Sequence, residues 1–134
     1  LKDLHDSIGK NYKNIKSFLN INSVKIYDAG RPDTFDNLGK IYDAVICTDV
    51  LEHIEPDKID DVMKHISLLF TKKAYLMIDT IPARKFLPDG RNAHLILEQP
   101  EWWDIKIKEN IKAKPIYTLF RKKKKYIVVL EKEA

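Results

Sequence analysis

Acidic and hydroxyl side chains follow three apolar segments of this 134-residue chain. Tyr27-Asp28, Thr48-Asp49 and Asp79-Thr80 each stand where an apolar run stops. In open α/β sheets, ligands bind beyond the carboxyl ends of the strands, where such side chains can hydrogen-bond a cofactor or a substrate. The same residue types also cap helices and turns. The residues alone therefore leave two interpretations open, a ligand-binding edge of a sheet and ordinary capping.

A second group of polar residues lies between Ile81 and about Gln99. Around Gly90 it brings four hydrogen-bonding side chains close in sequence: Asp89, Arg91, Asn92 and His94. His94 is a candidate general base because imidazole titrates near neutral pH, and Arg91 is a candidate for holding an anionic or carbonyl group. We predict that this segment is on the substrate side, with Asp89 and Asn92 as substrate contacts. The alternative is a tight turn whose polar side chains bond only nearby backbone.

The elements that must position these residues follow from apolar periodicity. Residues 1–19 have one apolar helical face, formed by Leu4, Ile8, Ile15, Phe18 and Leu19. Val24–Tyr27 alternates like a short strand, and residues 31–41 have no period and are predicted to form a loop. Ala44–Cys47 is an unbroken apolar run, typical of a parallel strand covered on both faces, so we expect it to be central in the sheet.

The second half of the chain continues with a helix, a strand, a helix and a hairpin. A helix is predicted to begin near Pro56 and to bury a stripe that ends at Phe70, with Lys72 and Lys73 after its last turn. The remaining elements are a strand at Ala74–Ile78, a long loop from Ile81 to about Gln99, a helix opened by Pro100, and an antiparallel hairpin of Ile116–Phe120 and Tyr126–Leu130. Trp102, near the start of the Pro100 helix, is a candidate for stacking on a planar substrate, although a core position is the alternative.

This order of elements predicts an α/β fold with a mostly parallel sheet, helices on both faces and a carboxy-terminal antiparallel hairpin. The length suits a single domain, residues 1–134. No apolar run approaches a membrane span and no signal-peptide core is visible, so a cytoplasmic protein is expected. With one cysteine, Cys47, and no paired spacing among His5, His53, His65 and His94, we expect no metal site.

The net charge of +4 raises the question of a nucleic-acid partner. Only four of the 24 basic residues are arginines, and a lysine-dominated excess is more typical of a solvated surface than of phosphate or base recognition. The run Arg121–Lys125 could bind phosphate, but in a hairpin turn it also protects a strand edge from pairing. We therefore keep nucleic-acid binding as an alternative function and do not expect it.

The segment Tyr42–Ile54, YDAVICTDVLEHI, resembles the fourth strand and following helix start of class I S-adenosylmethionine-dependent methyltransferases. The resemblance implies a Rossmann-like fold and S-adenosylmethionine as cofactor. It also implies that Asp28 holds the ribose hydroxyls of the cofactor and that Thr48 and Asp49 lie near its methionine end. Glu52-His53 is often structural at this position of the family. The loop after Ile81 resembles a region of bacterial and phage methyltransferase-like proteins whose substrates are undefined.

The chain departs from that family at its most diagnostic feature, the first strand with its glycine-rich turn. There is no G-x-G among Gly9, Gly30, Gly39 and Gly90, and the chain opens at Leu1. We therefore expect an amino-terminally incomplete domain with the first strand missing. Val24–Tyr27 and Ala44–Cys47 would then pair directly, or a second copy would fill the gap and form a homodimer. We expect weak or no cofactor binding by this chain alone.

Two functions from different classes remain beside nucleic-acid binding. The first is a methyltransferase, here incomplete, that acts on an unknown small or macromolecular acceptor. Proximity and alignment supply much of methyl-transfer catalysis, so a dedicated base is not required. The second is a non-catalytic methyltransferase-like module for binding or oligomerisation, which the missing glycine turn favours.

Overall fold

The computed structural model describes residues 21–133, and the helix predicted across residues 1–19 lies outside them. The chain divides into two compact units, Leu1–Gly39 and Lys40–Ala134. Within residues 21–133, no helix is long and apolar enough to cross a membrane.

The described part of the first unit contains one 3-10 helix, Pro32–Gly39, in the segment predicted to be a loop. The strand predicted at Val24–Tyr27 was wrong, because these residues have no strand pairing. Side chains instead bond the backbone of this segment and of the next residue, Asp28. Asn37 Nδ2 donates to the Ile26 carbonyl at 2.7 Å, and Thr34 Oγ1 accepts from the Asp28 N–H at 3.0 Å. Such local side-chain bonds compete with a sheet ladder for the same backbone groups.

The second unit contains four strands and two longer helices. In chain order these are β1 (Tyr42–Thr48), α1 (Ile59–Leu69), β2 (Phe70–Asp79), α2 (Pro100–Asn110), β3 (Lys114–Arg121) and β4 (Lys125–Glu131). The sheet has the order β1-β2-β4-β3. The β1-β2 pair is parallel, whereas β4 pairs antiparallel with both β2 and β3. The predicted α/β class with a carboxy-terminal antiparallel hairpin is therefore confirmed.

β1 lies at the edge of this four-stranded sheet and not at its centre, so its predicted central position was wrong. The apolar run does form a strand, but within residues 21–133 this strand is paired only with β2. Ile46, on one face of the strand, is 57% exposed, while Val45 and Cys47 pack against the core from the other face. Because Val24–Tyr27 is not a strand, it provides no strand for the direct pairing predicted above.

The core forms on one face of the sheet. Alternate residues of β2 and β4 point into it because successive side chains of a strand face opposite sides. They meet the apolar faces of α1 and α2, and the cluster includes Ala74, Leu76, Ile78, Val128, Leu130, Ile59, Met63, Ile66, Trp103 and Ile107. Each large side chain buried there contributes about 1.5–3 kcal/mol relative to an exposed one.

The boundary between α1 and β2 differs from the prediction. The helix ends at Leu69, and Phe70 is the first residue of β2, where its buried ring lies under Lys132 Nζ at 4.7 Å from the ring centroid. Lys72 and Lys73 are therefore strand residues. At the other end, Pro56 lies in the turn that precedes α1. A continuous apolar pattern cannot reveal where a helix passes directly into a strand, because Phe70 is buried in either case.

The long loop and the hairpin agree with the sequence predictions. Residues 81–99 contain no helix or strand apart from an isolated bridge between Phe86 and Asn92. Gly90 has φ of 92° in a tight turn closed by its N–H to the Leu87 carbonyl at 2.9 Å. α2 begins at Pro100 as predicted, and β3 and β4 form the hairpin.

Candidate functional site

The chain turns sharply where β1 ends, and this turn places polar side chains beside the end of β2. Asp49 has a left-handed backbone, with φ of 55°, and its N–H donates to the Met77 carbonyl at 2.9 Å. Aspartate and asparagine tolerate this conformation better than most residues. A 3-10 turn, Leu51–His53, follows directly. Because β1 and β2 are parallel, their carboxyl ends lie at the same edge of the sheet.

Glu52 in this turn is fully buried, with 0% of its surface exposed. Its Oε1 accepts the backbone N–H of Asp79 at 3.2 Å, which ties the turn to the end of β2. Its Oε2 is buried and has no hydrogen-bond partner among residues 21–133. Burial disfavours the charged carboxylate and raises the pKa of Glu52 above its ordinary value. A buried carboxylate with one unsatisfied oxygen is costly unless something positive or hydrogen-bonding meets it.

Lys125, the first residue of β4, joins the carboxylates at the two strand ends. Its Nζ lies 2.6 Å from Asp49 Oδ1 and 3.0 Å from Asp79 Oδ2. Partial burial disfavours the charged ammonium, but the hydrogen bonds to the two carboxylates outweigh it, so the pKa of Lys125 is raised. Asp49 is thus ion-paired within the chain, while Thr48 is exposed at the last position of β1.

Two histidines far apart in sequence meet beside Glu52. The rings of His53 and His94 form an edge-to-face pair with centroids 4.7 Å apart. His53 Nδ1 bonds the Ala93 carbonyl at 3.0 Å, and His94 Nδ1 bonds the Ile81 carbonyl at 2.6 Å. A carbonyl can only accept, so each Nδ1 carries the proton, and Nε2 keeps the lone pair of the neutral imidazole. His94 is buried, at 8% exposure, whereas His53 is exposed.

The three side chains form a group that the sequence interpretation did not anticipate. One ligand atom each of Glu52, His53 and His94 lie within 4.8 Å of one another. A second group within the same limit consists of Asp49, Glu52 and Asp79. The expectation of no metal site was based on spacing along the chain, which does not report that residues 53 and 94 meet. The Glu52-His53 dipeptide after an apolar strand was the available signal.

The long loop is held against the turn by its backbone and by Arg91. The Ile96 N–H donates to the Glu52 carbonyl at 3.1 Å. Arg91 donates from both terminal nitrogens to Glu55, each at 2.8 Å, and from Nε to Asp89 at 2.9 Å. The hydrogen bonds from Arg91 lower the pKa of both carboxyl groups. Arg91 and Asp89, both predicted to serve the substrate, are therefore brought together and ion-paired within the chain.

Asn92 shapes the loop that carries His94. Its Oδ1 accepts the N–H groups of Ala83 and His94 at 3.0 and 2.9 Å, and its Nδ2 donates to the Ala83 carbonyl at 2.9 Å. These bonds correspond to the alternative in which polar side chains of the loop bond nearby backbone. They also fix the position of His94, because the backbone of that residue is one of the groups bound.

The other two residues singled out from the sequence have local contacts of their own. Asp28 lies in the first unit, where its Oδ1 accepts the Gly30 N–H at 2.8 Å in a turn. Trp102 is half-buried, packs edge-to-face on Trp103 with centroids 5.0 Å apart, and has Lys106 Nζ 5.4 Å from its ring centroid. Trp102 also borders the hydrophobic core.

Comparison with solved structures identifies the fold. No protein-family model matches the chain, and no curated protein sequence matches it. Among solved structures, magnesium protoporphyrin IX methyltransferase (ChlM) from Synechocystis PCC 6803 with bound S-adenosylhomocysteine matches with a TM-score of 0.50 and 17% identity. The match covers 71% of this chain and 47% of that chain.

Two further structures are similar at lower scores. The same Synechocystis enzyme with bound S-adenosylmethionine has a TM-score of 0.48 and 19% identity, with 71% of this chain and 41% of that chain covered. A protein from Nostoc punctiforme PCC 73102 assigned as an O-methyltransferase has a TM-score of 0.46 and 13% identity, with 69% of this chain and 32% of that chain covered. The chain spans less than half the length of each of these structures. Over the part that matches, this chain has a class I methyltransferase-like fold.

Proposed function

We propose that this chain is the carboxy-terminal part of an S-adenosylmethionine-dependent methyltransferase. The observation that carries the proposal is the fold match to ChlM, a methyltransferase with bound S-adenosylhomocysteine, over 71% of this chain. The YDAVICTDVLEHI segment supports it, because this segment forms β1 and the turn after it. The match covers only 47% of ChlM, and the glycine-rich turn is missing from this chain. Both observations support the view that further sequence completes the domain.

In this proposal the cofactor binds at the edge of the sheet where β1 and β2 end. Open α/β sheets bind ligands at the carboxyl ends of parallel strands. Thr48 and Asp49 stand at the end of β1 and are assigned to the methionine end of the cofactor. The family resemblance assigns Asp28, in the first unit, to the ribose hydroxyls, since a carboxylate accepts two hydroxyl protons at once.

The loop of residues 81–99 is assigned to the methyl acceptor. Its backbone lies against the turn after β1, through the Ile96 N–H to Glu52 bond, so it borders the same edge of the sheet. Methyl transfer needs the acceptor atom in line with the methyl carbon and the sulfur, and we assign this alignment to the loop that the hydrogen bonds of Asn92 and Arg91 hold in place. Because Arg91 is ion-paired to Glu55 and Asp89, we assign it to positioning this loop.

Calorimetric titration with S-adenosylhomocysteine in the presence of EDTA tests the proposal. Two proteins are compared, the 134-residue chain and the product of the complete gene. We expect saturable binding by the complete product and at least about tenfold weaker binding by the 134-residue chain, since the backbone N–H groups of a glycine-rich turn are absent from it. No binding by the complete product would contradict the methyltransferase and favour a non-catalytic module. Equal affinity of both proteins would contradict the incomplete domain.

A further inference from the structure

Glu52, His53 and His94 have the composition and the surroundings of a metal site. Two imidazoles and one carboxylate are borderline nitrogen and oxygen ligands, which suit divalent first-row transition metals and zinc. Mg²⁺ and Ca²⁺ prefer ligand sets made of oxygen. One ligand atom of each side chain lies within 4.8 Å of those of the other two, so inward movement of the side chains would bring all three to the zinc-ligand distances of about 2.0–2.2 Å.

The histidines are already in the tautomer that a metal requires. In metal sites, a ligating histidine usually donates its other ring N–H to a backbone carbonyl or a carboxylate, which fixes the ring and leaves one lone pair for the cation. His53 and His94 both show this arrangement, with Nδ1 on the carbonyls of Ala93 and Ile81. Nε2 of each ring is therefore the nitrogen available to a cation.

Glu52 supplies an independent observation. Its carboxylate is 0% exposed, and Oε2 has no partner in the described part of the chain, while Oε1 is oriented by the Asp79 N–H. A cation bound by Glu52 and the two neighbouring histidines would satisfy this buried oxygen. The nearby carboxylates of Asp49 and Asp79 add negative potential that Lys125 only partly offsets.

We propose that Glu52, His53 and His94 bind one divalent cation of the zinc class at the edge of the sheet where β1 and β2 end. Three protein ligands leave at least one coordination position open to water or to an oxygen of a bound molecule. His94 then serves as a metal ligand and not as a general base, because its remaining lone pair is committed to the cation. The proposal does not depend on S-adenosylmethionine binding.

Zinc binding by the untagged 134-residue chain, stripped with EDTA and freed of chelator, tests the proposal. Titration with ZnSO₄ is followed by calorimetry, and the histidine ring nitrogens are followed by ¹H-¹⁵N NMR. We expect one zinc per chain and a change at Nε2 of His53 and His94. His53→Ala removes an exposed side chain and is expected to weaken binding by at least about tenfold. Glu52→Gln should weaken it similarly.

His65→Ala, on α1, and His5→Ala are the matched controls, and both should bind zinc within about twofold of the unchanged chain. Circular dichroism and thermal unfolding in EDTA verify that each variant is folded, and His53→Ala keeps the test decisive if Glu52→Gln unfolds. The proposal is overturned if no saturable binding at one site occurs, if His53→Ala binds as tightly as the unchanged chain, or if a control loses as much affinity as His53→Ala. The cofactor titration above is done in EDTA, so its result does not depend on zinc. Failure of the methyltransferase proposal and failure of the metal-site proposal are therefore distinguishable.

Discussion

The buried carboxylate of Glu52 accepts the backbone N–H of Asp79 at 3.2 Å and thereby joins the turn after β1 to the end of β2. These two residues are 27 positions apart, and their bond lies where the parallel strands end. A buried acceptor at this point satisfies an N–H that the ladder between β1 and β2 leaves free. Glu52 therefore has a structural role that is measurable without any ligand.

Glu52→Ala is expected to destabilise the chain by about 1–3 kcal/mol, because it leaves the Asp79 N–H without its acceptor. Glu52→Gln keeps an acceptor oxygen and removes the buried charge, so its stability should stay within about 1 kcal/mol of the unchanged chain. Urea unfolding in EDTA at pH 7 measures both. Equal destabilisation by the two variants would show that stability depends on the carboxylate charge of Glu52 and not on its hydrogen bond with the Asp79 N–H.

Trp103 and Trp102 should respond differently to truncation. Trp103 is 0% exposed in the core, whereas Trp102 is half-buried at its border. Trp103→Ala is expected to cost about 3–5 kcal/mol, since a large buried side chain leaves a cavity. Trp102→Ala, its neighbour on the same helix, should cost clearly less. Chemical denaturation of the pair compares them, and a larger loss for Trp102→Ala would contradict the assignment of Trp103 to the core.

Asp60 links α1 to α2 and makes stability depend on acid pH. Hydrogen bonds from Lys106 at 3.0 Å and Asn110 at 2.8 Å lower the pKa of Asp60 in the folded chain. A lowered folded pKa stabilises the fold above the unfolded value of about 3.9, and this contribution disappears as pH falls through the folded pKa. Urea midpoints of the unchanged chain and Asp60→Asn should therefore differ at pH 7 and converge towards pH 2. A constant difference would contradict the linkage.

Cys47 should be a slow nucleophile in the folded chain. Burial and, secondarily, the nearby Glu52 carboxylate raise the pKa of the Cys47 thiol to about 11. At pH 8 the thiolate fraction is then roughly a hundredfold below that of an ordinary thiol. Iodoacetamide labelling followed by mass spectrometry should be correspondingly slower for the native chain than for the chain in urea. Comparable rates in the two states would mean that β1 opens readily or that the thiol is not buried.

The turn between β3 and β4 holds two lysines in left-handed backbone, Lys122 with φ of 53° and Lys123 with φ of 56°. A residue with a Cβ is strained there, and glycine is not. Lys123→Gly is therefore expected to stabilise the hairpin by about 0.5–1 kcal/mol. Lys124→Gly is the matched control without positive φ and should be neutral or destabilising. Thermal unfolding of the two variants measures the difference, and stabilisation by both would point to charge and not conformation.

The sequence by itself determined the local elements of the second unit. Apolar periodicity predicted β1, α1, β2, α2 and the hairpin in order, because period and turn chemistry are properties of neighbouring residues. The YDAVICTDVLEHI segment also indicated the methyltransferase-like fold that the ChlM structure shares. The same reasoning failed at Val24–Tyr27, where alternation is present but Asn37 bonds the Ile26 carbonyl that a strand would need.

Only the tertiary structure decided which residues distant in sequence are in contact. The structure places β1 at the edge of the sheet. It also pairs Arg91 with Glu55 and brings the His53 ring against the His94 ring, and each of these contacts joins residues tens of positions apart. The contacts of Arg91 and His94 depend on how residues 81–99 fold back on the turn after β1, and the sequence periodicity does not report that path. Two of the polar positions first noticed in the sequence, at the ends of β1 and β2, lie together. Asp49 and Asp79 share Lys125 there, with the Glu52, His53 and His94 group beside them.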